Sequence, residues 1–89
     1  MKEEIFYVIT FNSTHHAIKG ERALMDKGLD VRIIPTPREI TASCGLSIKF
    51  FEDDINEVKS YLENIDLDID GVYIIKKRVY GKEAIRLEI

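Results

Sequence analysis

The chain has 89 residues, 45% hydrophobic and 33% charged, with a formal net charge of −3. A unit this short supports one core, so a single α+β domain over residues 1–89 is expected, and the composition argues against disorder. The longest apolar run, Ile5 to Ile9, is too short to cross a membrane, Glu3 and Glu4 spoil a basic leader, and a lone cysteine rules out an internal disulfide. The expected setting is cytoplasmic, where thiols stay reduced.

Ile5 to Phe11 is almost continuously apolar, β-branched and aromatic, which predicts a central strand covered on both faces. Asn12, Ser13 and Thr14 are good N-caps. Ala17, Gly20 and Leu24, with Ile18 and Met25, then recur at helical spacing until Gly28, so a helix is expected over 13–27. Leu29 to Ile34 reads as a short strand that ends at Pro35, because proline cannot donate to a ladder. The stretch IPTPREITASCG, residues 34–45, follows as a loop and holds both prolines and the only cysteine.

Leu46, Ile48 and Phe50 alternate with Ser47 and Lys49, the pattern of a half-buried strand. Phe51, Ile55, Val58, Leu62 and Ile65 step by four and three, with Asp53, Asp54 and Glu57 where a helix dipole favours acids, so a second helix is expected over 53–64. Val72 to Val79 and Glu83 to Ile89 read as strands joined across Tyr80-Gly81-Lys82. The order β-α-β-β-α-β-β matches a ferredoxin-like split β-α-β sandwich with one added C-terminal strand.

That topology bears on Cys44. The first two strands run in the same direction, so the 35–44 loop is expected at the end of the fold where helix one begins, at Ser13-Thr14-His15-His16. Unpaired amides at a helix start favour anions and stabilise thiolates, and Arg38 adds a full charge. Pro35 and Pro37 stiffen the approach to the loop, and Gly45 permits close backbone contact or a special dihedral. Against this, free cysteine is among the most often buried residue types. Reactive and packing roles for Cys44 both stay open on the residues alone.

Other motifs carry less. DLDIDG, Asp66 to Gly71, reproduces half of a calcium loop, but Lys77 stands where the bidentate glutamate belongs, so a solvated acidic connector is preferred. His15, His16 and Cys44 do not make a zinc ligand set, and no metal is expected. Eight acids fall between Glu52 and Asp70, whereas Lys76, Lys77, Arg78, Lys82 and Arg86 cluster near the C-terminus. Without an aromatic platform or recognition helix the cluster reads as a solvated edge, not a nucleic-acid site. No catalytic carboxylate pair or serine triad is visible.

FNSTHHAIKGERAL followed by IPTPREITASCGLSI resembles a small bacterial family of selenium/sulfur carrier-like proteins. The pattern falls on Ser13, Thr14, Glu21, Pro35, Pro37, Arg38, Ser43, Cys44 and Gly45, and the resemblance covers about residues 5–75. It implies that Cys44 bears sulfur or selenium as a persulfide or selenosulfide, received from a cysteine desulfurase-type donor and passed to an acceptor protein, without a cofactor. Ser13 and Thr14, with Arg38, would stabilise the anionic sulfur, and Gly45 would leave room for the partner. The tail 83–89 lies outside the shared region and reads as an edge strand or a homodimer contact. The alternative is a ferredoxin-like small-molecule-binding or regulatory module with a packing Cys44; a third reading is an interaction subunit that uses an exposed strand edge.

Overall fold

The computed structural model describes residues 4–40, 45–63 and 69–87, the side chain of Glu52 excepted. In chain order the elements are β1 (Glu4–Phe11), α1 (Thr14–Asp26), β2 (Arg32–Pro35), β3 (Leu46–Phe50), a 3-10 turn (Glu52–Asp54), α2 (Ile55–Glu63), β4 (Ile69–Arg78) and β5 (Gly81–Leu87). The strands form one sheet in the order β2-β3-β1-β4-β5, antiparallel at every step. The fold is α+β, as expected. With β5 outside β4, the five-strand order differs from that of a four-strand ferredoxin-like sheet.

Helix α1 starts and stops for local reasons. The Ser13 hydroxyl accepts from the His16 amide at 3.2 Å, satisfying one of the donors that a helix start leaves open. At the other end the Leu29 amide donates to the Leu24 carbonyl and the Gly28 amide to the Met25 carbonyl, with Gly28 at φ +82°. This is a Schellman stop, and it brings the buried side chains of Leu24 and Leu29 into one cluster. The Val31 amide then bonds the Leu29 carbonyl, a tight turn that delays β2 to Arg32. The expected strand from Leu29 is shorter for this reason: Leu29 and Val31 serve as core plugs on irregular backbone.

The larger core lies between the sheet and the helices. Ile9, Phe11, Ile48, Phe50 and Val72 from the strands meet Ala17, Leu24 and Val58 from the helices. Tyr7 stacks on Phe50, its register partner, with ring centroids 5.2 Å apart. The opposite face holds a second, smaller cluster of Phe6, Val8 and Ile75, capped by Ile40. Strand β1 is thus covered on both faces, as its unbroken apolar run predicts.

Three expectations shift. Asp53 and Asp54 fall in the 3-10 turn, so α2 begins later and only Glu57 is the acid of its first turn. The hairpin closes on Val79-Tyr80, with Arg78 paired to Gly81, whose φ of +142° suits glycine. Ser47, expected to face solvent, is fully buried because residues 36–40 fold over its face of the sheet. Glu88 and Ile89, part of the expected final strand, lie outside the described residues.

Glu21, one of the positions in the motif, has a structural task. Its carboxylate accepts the Ile33 amide at 2.9 Å and so ties α1 to the edge strand β2. Glu21→Ala is expected to cost about 1–2 kcal/mol, the worth of a part-buried hydrogen bond to a charged acceptor, with Glu21→Gln in between. Urea denaturation midpoints of the two variants check this, and equal loss in both would point away from the bond.

Candidate functional site

The loop that carries Cys44 is closed at its base. The Thr36 amide donates to the Gly45 carbonyl at 3.0 Å, and the hydroxyls of Thr36 and Ser47 lie 2.6 Å apart. Thr36 and Gly45 therefore lie side by side, so the chain leaves the sheet and returns to it at one place. Inside the loop the Ile40 amide bonds the Pro37 carbonyl at 3.0 Å, turning the chain so that the Ile40 side chain seats on Phe6, Val8 and Ile75.

Cys44 itself lies outside the described residues, together with Thr41, Ala42 and Ser43. Its neighbour Gly45 is exposed, does not adopt a left-handed φ, and would find nothing within 4 Å of an added Cβ. The special dihedral allowed for Gly45 is therefore not used. What the glycine supplies is open space.

The register places the remaining candidates. Thr10 pairs with Ser47 and Ser47 with Ile34, so the ends of β1 and β2 and the start of β3 share one end of the sheet. Ser13, Thr14 and Gly45 follow or precede these residues directly and gather at that end. Arg38 is exposed and belongs to a different neighbourhood, between Thr36 and Ile40, which are anchored on the sheet face turned away from α1. The Ser13 hydroxyl oxygen is already occupied as a cap acceptor for His16.

A row of buried hydroxyls escapes the sequence reading. Thr10 and Ser47 are both fully buried, and Thr10 donates to an Asp70 carboxylate oxygen at 3.0 Å, with the Gly71 carbonyl also within 3.2 Å. Asp70 reaches Thr10 because the pairing slips there: Thr10 faces Gly71 but Phe11 faces Ile69, leaving Asp70 as the extra residue of a bulge. The only sequence signal was a threonine inside an apolar run. The polar row runs from half-buried Thr36, just past β2, through Ser47 on β3 and Thr10 on β1 to the Asp70 carboxylate on β4, beside the loop base.

The same contacts bear on the calcium half-motif. The Asp70 carboxylate serves Thr10, and the Asp70 carbonyl accepts from Arg86 at 3.0 Å. Asp66 and Asp68 lie outside the described residues, and among the described residues no three ligand-type side chains come together. His15 and His16 hold tilted rings 5.9 Å apart on the first turn of α1.

Compared with known proteins, the chain matches a family model described as putative Se/S carrier protein-like over residues 6–74. No curated protein and no solved structure matches it.

Proposed function

Because the chain belongs to the Se/S carrier protein-like family, we propose that it carries sulfur or selenium on Cys44. The observation that carries this reading is the extent of the match, which spans both the Ser13-Thr14 helix start and the Pro-x-Pro-Arg to Ser-Cys-Gly loop. The geometry of the flanks supports it. The loop is pinned at Thr36, Ile40 and Gly45, so the four undescribed residues belong to a segment whose two ends are held.

The chemistry is an exchange. The Cys44 thiolate attacks the outer sulfur of a donor persulfide; a new sulfur–sulfur bond forms at Cys44 and the donor's own sulfur–sulfur bond breaks. The donor leaves as a thiolate, and no external oxidant or reductant enters. Delivery to an acceptor thiol repeats the exchange in the other direction, and a selenosulfide follows the same course. The helix start at Ser13 and Thr14 supplies positive potential for the anionic outer atom. Gly45 leaves room for a partner's backbone.

A cysteine desulfurase-type protein is the proposed donor and a second protein the acceptor, in a cytoplasmic setting that keeps the thiol reduced. Among the described residues no helix is long and apolar enough to cross a membrane. We read β1-α1-β2 and β3-α2-β4 as a ferredoxin-like split unit with β5 appended; in support, β3 lies between β1 and β2, and β1 between β3 and β4.

Incubation with a cysteine desulfurase and cysteine tests the proposal by intact mass. The expected result is gain of one sulfur atom per chain, faster than for the urea-unfolded chain and abolished by Cys44→Ala. Absence of the adduct, or loading no faster than in the unfolded chain, would leave Cys44 a packing residue in a binding or regulatory module.

A further inference from the structure

The sheet face turned away from the helices has a composition that the linear sequence hides. Strand alternation and register collect on it Arg32 from β2, Lys49 from β3, Lys77 from β4, and Lys82 and Arg86 from β5. Glu4 is the one acid that the strand alternation places there, and it pairs with Lys49 at 3.6 Å. The Asp70 carboxylate, swung in by the bulge, is engaged by Thr10. In a chain of net charge −3, the strands thus present a basic face.

Its centre is apolar. Phe6, Val8 and Ile75 form the floor under Ile40, with Ile34, Tyr73 and Ala84 partly buried around them. The five cations surround that centre: Arg32 and Lys49 on one side, Arg86 on the other, Lys77 and Lys82 at the end away from the loop. Phe6, Val8, Ile75 and Ile40 are themselves buried, so the apolar surface that this face offers is that of half-buried Ile34, Tyr73 and Ala84 within the charged rim, a mixture typical of protein interfaces. The rings are not available as a stacking platform for bases. Phe6 is 7% exposed with the Lys49 ammonium 4.4 Å from its centroid, and Tyr73 carries the Arg86 guanidinium at 5.7 Å.

We infer that this sheet face docks an acidic protein surface that carries apolar side chains among its acids. The occupant follows from charge complementarity: five cations select anions and steer them at low salt, and half-buried Ile34, Tyr73 and Ala84 give apolar contact once they meet. Residues 36–40 of the loop are seated on the same face, so a partner bound there meets the flank of the Cys44 segment. The docking itself needs no thiol, so it stands or falls separately from the carrier reading.

The test uses the isotope-labelled full chain with Cys44→Ala, titrated by NMR with an unlabelled peptide rich in Glu and Leu at low and at physiological salt. The expected shifts fall on the amides of Arg32, Lys49, Tyr73, Lys82, Ala84 and Arg86, with affinity dropping at least tenfold as salt rises. Lys77→Glu with Lys82→Glu on one rim, and Arg32→Glu on the other, should each weaken binding several-fold without lowering the melting temperature; these exposed side chains are not packed in either core cluster. Shifts confined to the helices, or none, overturn the proposal. So does equal affinity for polyglutamate, which would make the face a charge sink, or tighter binding of single-stranded oligothymidylate. Concentration-dependent shifts at the same residues without peptide would assign the face to a second copy's acidic α2 instead.

Discussion

Phe50→Ala is expected to remove a large share of the domain's stability at 25 °C. Phe50 is fully buried at the centre of the larger core and stacks on Tyr7 across the β1–β3 pair. Removing a buried phenylalanine costs about 3–5 kcal/mol, because the transfer energy of the ring is lost and the cavity collapses only in part. A domain of this length has roughly 0.05–0.15 kcal/mol of stability per residue, so the substitution consumes a large share of the total. Urea unfolding followed by circular dichroism reads the loss directly. A loss below about 1 kcal/mol would mean that the β1–β3 pair is not the centre of the core.

Ile40→Ala is expected to act differently, by freeing the Cys44 loop rather than unfolding the chain. Ile40 is the side chain by which residues 36–40 grip the far face, and it is 5% exposed. The cost should lie near the low end of the usual range for such truncations, about 2 kcal/mol, because a loop detaches more easily than a strand. Hydrogen exchange at the Thr36 and Ile40 amides should accelerate while the amides of β1 keep their protection. If the carrier proposal holds, sulfur loading of Cys44 slows several-fold in this variant and is largely restored in Ile40→Val. Unchanged exchange at the Thr36 amide would show that the hydroxyl and backbone bonds at the loop base suffice without the plug.

Local patterns were sufficient for much of the fold. The apolar run of β1, the Ser13 cap, the Gly28 stop and the alternation of β3 each act within a few residues, and the structure has those elements where the patterns place them. The boundaries that moved did so through bonds that no periodicity encodes. One is the Schellman stop and turn that trim β2; another is the two-residue closure of the β4–β5 hairpin at Val79-Tyr80. Of the candidate site, the gathering of Ser13, Thr14 and Gly45 at one end of the sheet was legible from chain order alone, since β1 and β2 are both antiparallel to β3.

Tertiary structure decided the rest. Ser47 and Lys49 alternate identically in the sequence, yet Ser47 is sealed under Thr36 and the loop while Lys49 stands over the Phe6 ring. Glu21 is one polar residue among many on α1 until β2 arrives to offer it the Ile33 amide. The basic residues near the C-terminus read as one cluster along the chain; strand alternation sends Lys77, Lys82 and Arg86 to the open face, and sheet order brings Arg32 and Lys49 to join them. Periodicity is a property of neighbouring residues, so the amino-acid order alone determined which element forms and which of its side chains share a face. Which faces then meet, and which charges collect on them, depends on register between segments tens of residues apart, and that is set only when the sheet closes.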